Sequence, residues 1–413
     1  MPSPPSIRPR VEWRIELPLL LAIFLDLAGF GMVIPDLQLR AQSLGADGWQ
    51  IGGLISSMFL VQIVASPLWG RLSDRVGRKP VLIVCGLISA GSMFAYAFSD
   101  SLWLILASRC LAGLAAANVV VAQAYIGDVT DQNSRTAAMG RIGAAITLGL
   151  IAGPAIGGFL ALAGGAFLLG TTAGVVALMG VIWILIGVPY RRPIDSAEAR
   201  AKKTFRFEVL KDFPALRPLF AIAAAGWFAL ACLEGTFGRL IAVIFGYTPE
   251  QVAAGWASRD FGIVFSFESA LTVLVQAVAL TWITARISPL PLLRLGYLLQ
   301  GVGLALTPLA TGMTSLIGIT TIYALGVAVA NPTINALCSE IVPSTRQGEM
   351  FGLLQSARST GFLLGPATGG ALFDFLPALP YWIAGLVSLG AALLVRRHAV
   401  ASRQASARNV SVS

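Results

Sequence analysis

Long apolar segments follow one another along almost the whole sequence, and they constrain its fold more than any other feature. A helix of roughly 20 apolar residues is long enough to cross the hydrocarbon core of a bilayer. Only 12% of the residues are charged, whereas soluble domains carry about 25%. We therefore predict an all-α integral membrane protein with twelve spans, at about residues 16–38, 50–69, 81–99, 102–127, 136–162, 166–189, 218–245, 260–284, 290–310, 314–341, 349–376 and 378–395.

The net charge of +9 indicates a membrane topology rather than a nucleic-acid surface. Lys and Arg are concentrated in alternate connections, whereas the connections between them hold only Arg40 and Arg259. Basic residues mark the cytoplasmic side of a membrane protein. We therefore expect a multi-pass protein of the cell membrane, with both termini in the cytoplasm and residues 1–16 as a cytosolic lead-in rather than a cleaved signal.

The cysteines give no sign of a disulfide framework or a zinc site. Cys85, Cys110, Cys232 and Cys338 all lie in apolar segments without a nearby histidine. We expect no metal and no cofactor. The least regular segment, Gly246 to Asp260, is predicted to be a loop helix or partly re-entrant.

A glycine–proline pattern occurs twice, 212 residues apart. Its first copy, in the fifth predicted span, comprises Gly140, Gly149, Gly153, Pro154, Gly157 and Gly158; the second, in the eleventh, comprises Gly352, Gly361, Gly365, Pro366, Gly369 and Gly370. Asn118 and Asn331 recur at a similar offset, as do Asp26 and Glu234. We predict two six-helix bundles, residues 1–190 and 216–395, with a basic linker at 191–215 and a cytoplasmic tail at 396–413. An even number of spans per half places the pseudo-two-fold axis along the membrane normal.

The connection between the second and third predicted spans reads Gly70-Arg71-Leu72-Ser73-Asp74-Arg75-Val76-Gly77-Arg78-Lys79-Pro80. It resembles the cytoplasmic loop signature of the major facilitator superfamily. From the residues themselves, we expect Gly70 to allow a close approach of helices, Gly77 to turn the chain, and Asp74 to pair with Arg78. The resemblance implies a latch of Gly70, Asp74, Arg75, Gly77, Arg78 and Asp128 that holds the outward-facing state. The alternative is a solvated basic turn.

Two further motifs resemble that superfamily. Arg109 and Gly113 match an Arg-x-x-x-Gly element that the superfamily uses in handling protons; a purely structural arginine is the alternative. The fifth-span glycine pattern is similar to the signature of the drug–proton antiporter branches, which implies a hinge and proton seal. Its members are Gly149, Gly153, Pro154, Gly157 and Gly158. Close helix packing alone would also favour these glycines.

The first predicted span is similar to that of the twelve-span branch that includes tetracycline exporters. The similarity lies in the segment from Leu25 and Asp26 to Pro35. The sequence departs from that pattern at Gln38, where a second proline is common, and at Asp36, which adds a charge at the outer rim.

Carboxylates must carry any transported proton, because His398 is the only histidine and lies in the tail. The proton-coupling candidates are Asp26, Arg109, Glu234 and Glu268, with Asp260 at the rim. We favour Asp26 and Glu234, which we expect at matching places in the two halves. Glu268 could instead pair with Arg239 or Arg259 for structure alone. A buried carboxylate favours the protonated form and a nearby arginine the ionised form, so changes in either can load and release a proton.

Polar and aromatic side chains at membrane depth are candidates for a substrate cavity, although most such residues in helix bundles only pack. They are Gln62, Gln123, Tyr125, Trp227, Phe228, Asn331, Asn335, Gln355 and Arg358. The expected function is proton-coupled export of small amphipathic or cationic compounds by a monomer. Uptake of a metabolite or lipid by symport or uniport is the main alternative. A membrane enzyme would need a nucleophile–base pair or a metal cluster, and a non-transporting sensor would need a larger soluble domain.

Overall fold

The computed structural model describes residues 13–116, 118–130, 132–190, 208–343 and 346–410, which form helices and short connections without β-strands. Twelve crossings, here called spans, can be followed through them. Spans 1 to 4 are Trp13–Ser43, Gly48–Val76, Arg78–Ala97, and Leu102–Ala115 with Asn118–Val129. Spans 5 and 6 lie within Gln132–Gly187, span 7 comprises Leu216–Glu234 and Phe237–Phe245, and span 8 begins as Trp256–Leu274. Spans 9 to 11 are Pro289–Leu306, Met313–Ile341 and Gln347–Phe375, and span 12 is the apolar part, Leu379–Val395, of the helix Leu379–Val410.

Spans 5 and 6 form a hairpin that reverses at two glycines. The apolar stretch Ala138–Gly187 has 50 residues, and at about 1.5 Å per residue it is far too long for one crossing. Gly164 and Gly165 have non-helical dihedral angles, with φ of +63° at Gly165. The chain therefore turns back at the position predicted for the boundary between these spans.

The segment between spans 7 and 8 contains a short helix, one of the two forms predicted for it. Span 7 is interrupted after Glu234, and a short helix, Pro249–Ala253, precedes span 8. The Thr248 side chain caps that short helix by accepting from the backbone N–H of Gln251. Span 8 continues through a π-helical turn, Val275–Ala279, into Leu280–Thr284. No sequence pattern indicated this π-helical turn.

The two glycine rows occupy equivalent places, each against the first span of its own half. A side chain at Gly153 would meet the backbone of Ala28, and one at Gly365 would meet the backbone of Phe228. One turn further, Gly157 faces Met32 and Gly369 faces Cys232. The glycine rows lie 212 residues apart, whereas their partners on spans 1 and 7 lie 200 residues apart.

The halves meet through two equivalent pairs of helices, spans 2 and 11 and spans 5 and 8. At Gly52 there is no room for a side chain against the carbonyl oxygen of Pro366, and at Gly262 none against that of Pro154. We call the bundle end that carries the Gly77 turn the terminal face, and the end that carries Gly164 and Gly165 the opposite face. Because Gly52 and Gly262 lie near the starts of spans 2 and 8, the halves are closely packed at the opposite face.

Each half has its own hydrophobic core. In the first half, one cluster surrounds Tyr125 and a second surrounds Tyr96. In the second half, one cluster surrounds Tyr297 and a second includes Tyr381. The cluster that includes Tyr381 also contains Leu39 of span 1, so the two cores join near the opposite face.

Candidate functional site

Asp26 lies midway along span 1 and is held by neutral hydrogen-bond donors. The Ser89 hydroxyl of span 3 donates to Oδ1 at 2.6 Å, and Nδ2 of Asn118 of span 4 donates to Oδ2 at 3.3 Å. Within the described part of the chain, no ion pair to Asp26 is found. Asp26 is thus a carboxyl group at mid-bundle without a bound cation.

The place that matches Asp26 in the second half holds Gly226, not Glu234. The packing of the glycine rows relates span 1 to span 7 by 200 residues, so Glu234 matches Ile34. Tyr297 occupies the space beside Gly226, and Nε2 of Gln300 donates to the Gly226 carbonyl at 2.9 Å. The prediction of matching acids was therefore wrong. It compared positions in the sequence without the helix register that close packing sets.

Glu234 lies about 12 Å beyond the level of Gly226, toward the opposite face, at the helical rise of 1.5 Å per residue. It is close enough to Glu268 of span 8 and Tyr323 of span 10 to interact with both electrostatically. The Tyr323 hydroxyl donates to Oε2 of Glu268, which is 4% exposed. These side chains form an acidic site separate from Asp26.

Glu268 pairs with neither of the two arginines considered for it. Arg239 binds Asp374, with Nη2 at 2.8 Å from Oδ1, and Arg259 binds its neighbour Asp260 at 2.7 Å. The structural alternative for Glu268 was therefore wrong: in this conformation its partner is a tyrosine, and Asp260 at the rim is occupied by Arg259.

Arg109 is fully enclosed in the first half, at 2% exposure. Its guanidinium carbon lies 5.4 Å from the centre of the Tyr96 ring, and Nε contacts the Ser108 hydroxyl at 3.4 Å. Nη2 has no hydrogen-bond partner among the described residues. Tyr96 in turn donates to Oδ2 of Asp36 at 2.7 Å. The buried arginine therefore reaches a carboxylate only through an aromatic ring.

Three aromatic rings close the space between the halves at mid-depth. Phe59 of span 2 stacks on Phe362 of span 11, with ring centroids 4.7 Å apart and an interplanar angle of 19°. Trp227 of span 7 lies 5.1 Å from Phe362. Further toward the terminal face, Gln355 and Ile63 continue the same helix faces and are exposed. We call the space between spans 2 and 11 on the terminal side of these rings the chamber.

Several predicted cavity residues meet at this chamber. Gln62 follows Phe59 by three residues, and Arg358 precedes Phe362 by four, so each shares a helix face with its ring. Nη2 of Arg358 donates to Oδ1 of Asn335 at 2.6 Å. Asn331 lines a narrow gap with Gly226 and Trp227.

Other predicted cavity residues lie elsewhere. Tyr125 is 1% exposed inside the core of the first half, where its hydroxyl donates to the Pro189 carbonyl at 3.3 Å. Phe228 packs against a core cluster of the second half. Gln123 is exposed, five residues from Asn118 and on a different face of span 4. Tyr125 was wrongly predicted because an aromatic residue in an apolar helix is usually part of the core.

Comparison with known proteins identifies the family. The sequence profile described as Major Facilitator Superfamily matches residues 19–257 and 239–412. The chain belongs to the major facilitator superfamily. It is 26% identical over 377 residues to multidrug resistance protein 2 of Bacillus subtilis (strain 168), covering 90% of this chain and 92% of the relative. It is 29% identical over 361 residues to the class G tetracycline resistance protein of Vibrio anguillarum, covering 86% and 89%.

A solved structure has the same fold. The inward-facing, unoccupied bacterial homologue of the human lysosomal transporter Spinster superposes with a TM-score of 0.73 at 16% identity. The superposition covers 94% of this chain and 96% of that one. The predicted fold class, two six-helix bundles of the major facilitator type, is confirmed, and the chain is a multi-pass membrane transporter rather than an enzyme.

The loop signature of the superfamily forms an ion-pair cluster inside the first half. Nη1 of Arg78 lies 2.6 Å from Oδ1 of Asp74, and Nε lies 3.0 Å from Oδ2 of Asp128. Gly77 has φ of +97°, a backbone conformation that favours glycine, so it turns the chain as predicted. A side chain at Gly70 would meet nothing within 4 Å, so the expected close approach is absent in this conformation. Arg75 is exposed.

The fifth-span glycines pack against two different helices. Gly149, Gly153 and Gly157 face span 1, whereas Gly158 faces the backbone of Ser258 in span 8 of the other half. Pro154 lies inside the helix, and its carbonyl oxygen faces Gly262. The row therefore connects packing inside one half with the contact between halves.

Polar bonds across the halves were missed by the sequence analysis. Oδ1 of Asp36 accepts from the Ser258 hydroxyl at 3.2 Å, and Oε1 of Gln38 accepts from the backbone N–H of Gly238 at 3.1 Å. Oδ2 of Asp374 accepts from the backbone N–H of Gly48 at 2.6 Å, at the start of span 2. We call Asp36, Gln38 and Asp374 the polar clasp. The available signal was that Asp36 and Gln38 depart from the pattern of span 1.

Proposed function

We propose that this transporter exports small amphipathic or cationic compounds from the cytoplasm in exchange for protons, by alternating access. Two observations support the proposal: proteins named for multidrug and tetracycline resistance are among the relatives, and the fifth-span glycine row packs closely against spans 1 and 8, as a hinge would. In this proposal the protein acts as a monomer in the cell membrane, and residues 1–190 and 216–395 are the moving halves.

The terminal face is the cytoplasmic face in this proposal. Its connections carry the basic residues, including Arg71, Arg75, Arg78 and Lys79 between spans 2 and 3, and such residues are retained in the cytoplasm. The chamber then opens to the cytoplasm, and the opposite face is closed by the polar clasp and the glycine contacts. Cargo enters the chamber from the cytoplasm, and opening of the clasp releases it outside.

Asp26 carries the transported proton in this proposal, and its environment is the observation on which the proposal rests. A carboxyl group enclosed at mid-bundle without a counter-ion is stabilised by binding a proton, and a hydrated one by losing it. Ser89 and Asn118 are neutral donors, so they orient the carboxyl group without supplying a counter-charge. A group that is enclosed in one state and hydrated in the other can therefore exchange a proton once per cycle.

Glu234 and Glu268 form a second protonation site nearer the opposite face. Two carboxyl groups that interact electrostatically do not ionise independently, and protonation of either one lowers their repulsion. We propose that these acids receive protons from outside when the clasp is open. Arg109 acts through Tyr96 and Asp36 and couples the clasp to the interior of the first half.

Transport by purified protein in proteoliposomes tests the proposal. An imposed pH gradient is expected to drive export of a lipophilic cation such as ethidium, as measured by its fluorescence. Asp26→Asn keeps the size of the side chain but cannot exchange a proton, so gradient-driven transport is expected to be lost while binding of ethidium remains. Glu234→Gln is expected to reduce the rate without abolishing it.

Glu250→Gln is the matched control, because Glu250 is an exposed acid of the connection between spans 7 and 8. It is expected to transport like the wild type. Full gradient-driven exchange in both Asp26→Asn and Glu234→Gln would refute the proton assignment. Net accumulation in the direction of the proton gradient would instead support uptake.

A further inference from the structure

Arg358 brings to the chamber a positive charge that no carboxylate balances. Among the residues that the structure describes, no Asp or Glu lies within ion-pair distance of it. Its Nη2 is bonded to Asn335 at 2.6 Å, and its Nε has no hydrogen-bond partner in that part of the chain. Arginine N–H groups are donors only and prefer carboxylate oxygens. An anion is therefore the natural partner for this side chain.

Trp227 supplies an aromatic surface next to this charge. The centre of its ring lies 5.7 Å from the guanidinium carbon of Arg358, and its Nε1 also lacks a hydrogen-bond partner among the described residues. Phe362 extends the aromatic surface, 5.1 Å away. Two hydrogen-bond donors without partners in the described part of the chain, Nε of Arg358 and Nε1 of Trp227, thus lie beside the rings of Trp227 and Phe362.

The arrangement is particular to the second half. Ile146 precedes Arg358 by 212 residues, the offset of the two glycine rows, and it packs against the core of the first half. Asp26, conversely, is matched by Gly226. The two halves therefore differ at these matched positions: Asp26 corresponds to Gly226, and Arg358 corresponds to Ile146.

We infer that Arg358, Asn335 and Trp227 form a subsite for an anionic group, such as a carboxylate, attached to an aromatic ring of the cargo. The anion accepts from Nε of Arg358 and from the indole N–H of Trp227, and the ring lies against Trp227 and Phe362. This inference rests on the proposed function, because it takes the chamber to be the cargo site. It adds aromatic acids and zwitterions to the amphipathic compounds that the proposed function gives as cargo.

Binding of two matched probes tests the subsite without transport. 2-Naphthoate is ionised at neutral pH, and 2-naphthamide has nearly the same shape without the charge. Equilibrium binding of each radiolabelled probe to the purified full-length protein is expected to favour the naphthoate by about tenfold or more, the usual effect of a charge-assisted hydrogen bond. Equal affinities in the wild-type protein would overturn the inference.

Variants then locate the preference. Arg358→Gln is expected to weaken binding of naphthoate by about tenfold and to leave binding of naphthamide unchanged. Arg358→Lys, which keeps the charge, is expected to retain part of the preference. Arg286→Gln is the matched control, because Arg286 lies 3.8 Å from the Trp282 ring in the same kind of pair but is exposed.

The outcomes separate this inference from the proposed function. Loss of the naphthoate preference in Arg358→Gln but not in Arg286→Gln supports the subsite. A naphthoate preference that survives in Arg358→Gln, or an equal loss of both probes in Arg358→Lys, overturns it. If the preference depends on Arg358 but no pH gradient drives export of any compound, the subsite stands and the proposed function fails.

Discussion

The hydroxyl group of Ser258 donates to the carboxylate of Asp36 at 3.2 Å, and this bond joins the two halves of the bundle. The other oxygen of Asp36 accepts from Tyr96 at 2.7 Å. Asp36 is 8% exposed, so both bonds lie away from bulk water. The bond to Ser258 can form only while the halves are closed at the opposite face, whereas Tyr96 belongs to the same half as Asp36. The bond therefore contributes to the free energy of one conformation and not of the other.

Removing this bond is expected to open the opposite face. Asp36→Ala removes the charge-assisted hydrogen bond that Asp36 makes across the halves, worth about 1.5–3 kcal/mol, so it should shift the conformational equilibrium by roughly tenfold or more. Spin labels on Ser43→Cys and Glu250→Cys, in a background without the four native cysteines, report this opening. Double electron–electron resonance is expected to show a larger fraction of molecules in which the two spin labels are far apart.

Asp100→Ala is the control for the clasp. Asp100 is an exposed acid in the connection between spans 3 and 4, away from Ser258. Its removal should leave the distance distribution unchanged. A distribution in Asp36→Ala that matched the control would mean that the clasp contributes little to closing this face.

Substitution in the glycine row is expected to depend on position. A side chain at Gly153 would meet the Ala28 carbonyl at 2.5 Å, whereas one at Gly140 on the same helix would meet nothing within 4 Å. Gly153→Ala should therefore destabilise the protein by about 1–3 kcal/mol through overpacking. Gly140→Ala should be neutral or slightly stabilising. The melting temperature of each purified variant measures the difference, and equal values would contradict the packing.

The pair of Arg78 and Asp128 is expected to be weak in energy. The Arg78 side chain is 17% exposed and that of Asp128 is 43% exposed, so water screens their attraction. A double-mutant cycle with Arg78→Ala and Asp128→Ala should give a coupling of about 0.2–1 kcal/mol in the free energy of unfolding. A coupling well above this range would show that the pair is a structural contact rather than one that can open during transport.

Tyr247, in the connection between spans 7 and 8, is expected to lose its hydroxyl proton at a higher pH than an ordinary tyrosine. Burial and its hydrogen bond to Asp260, 2.5 Å long, raise the pKa of Tyr247 from 10.0 to about 12. This environment stabilises the folded protein through the neutral form of Tyr247. The stabilisation is complete below the ordinary pKa of 10.0 and is lost as the pH rises through about 12. Tyrosinate absorbance at about pH 11 should therefore hardly change in Tyr247→Phe. A decrease in absorbance equal to one fully ionised tyrosine would contradict the raised pKa of Tyr247.

Local patterns predicted the features that depend on short segments of chain. The turn at Gly77, the reversal at Gly164 and Gly165, and the ion pair of Arg78 with Asp74 follow from residues close together in sequence. The relative positions of Asp26 and Glu234 could not be predicted from such local patterns. Glu234 was paired with Asp26 because both follow a leucine, but packing of the glycine rows sets a 200-residue register and places Gly226 there.

The sequence by itself determined the twelve spans, the repeat and the family, because hydrophobic length and a duplicated glycine row need no knowledge of distant contacts. Only the tertiary structure decided which polar groups meet. Asp36 reaches Ser258 over 222 residues of chain, and Arg358 faces Trp227 across two helices. The orientation of each helix about its axis and the approach of the two halves decide which polar groups become partners. Neither can be read from the spacing of residues within one segment.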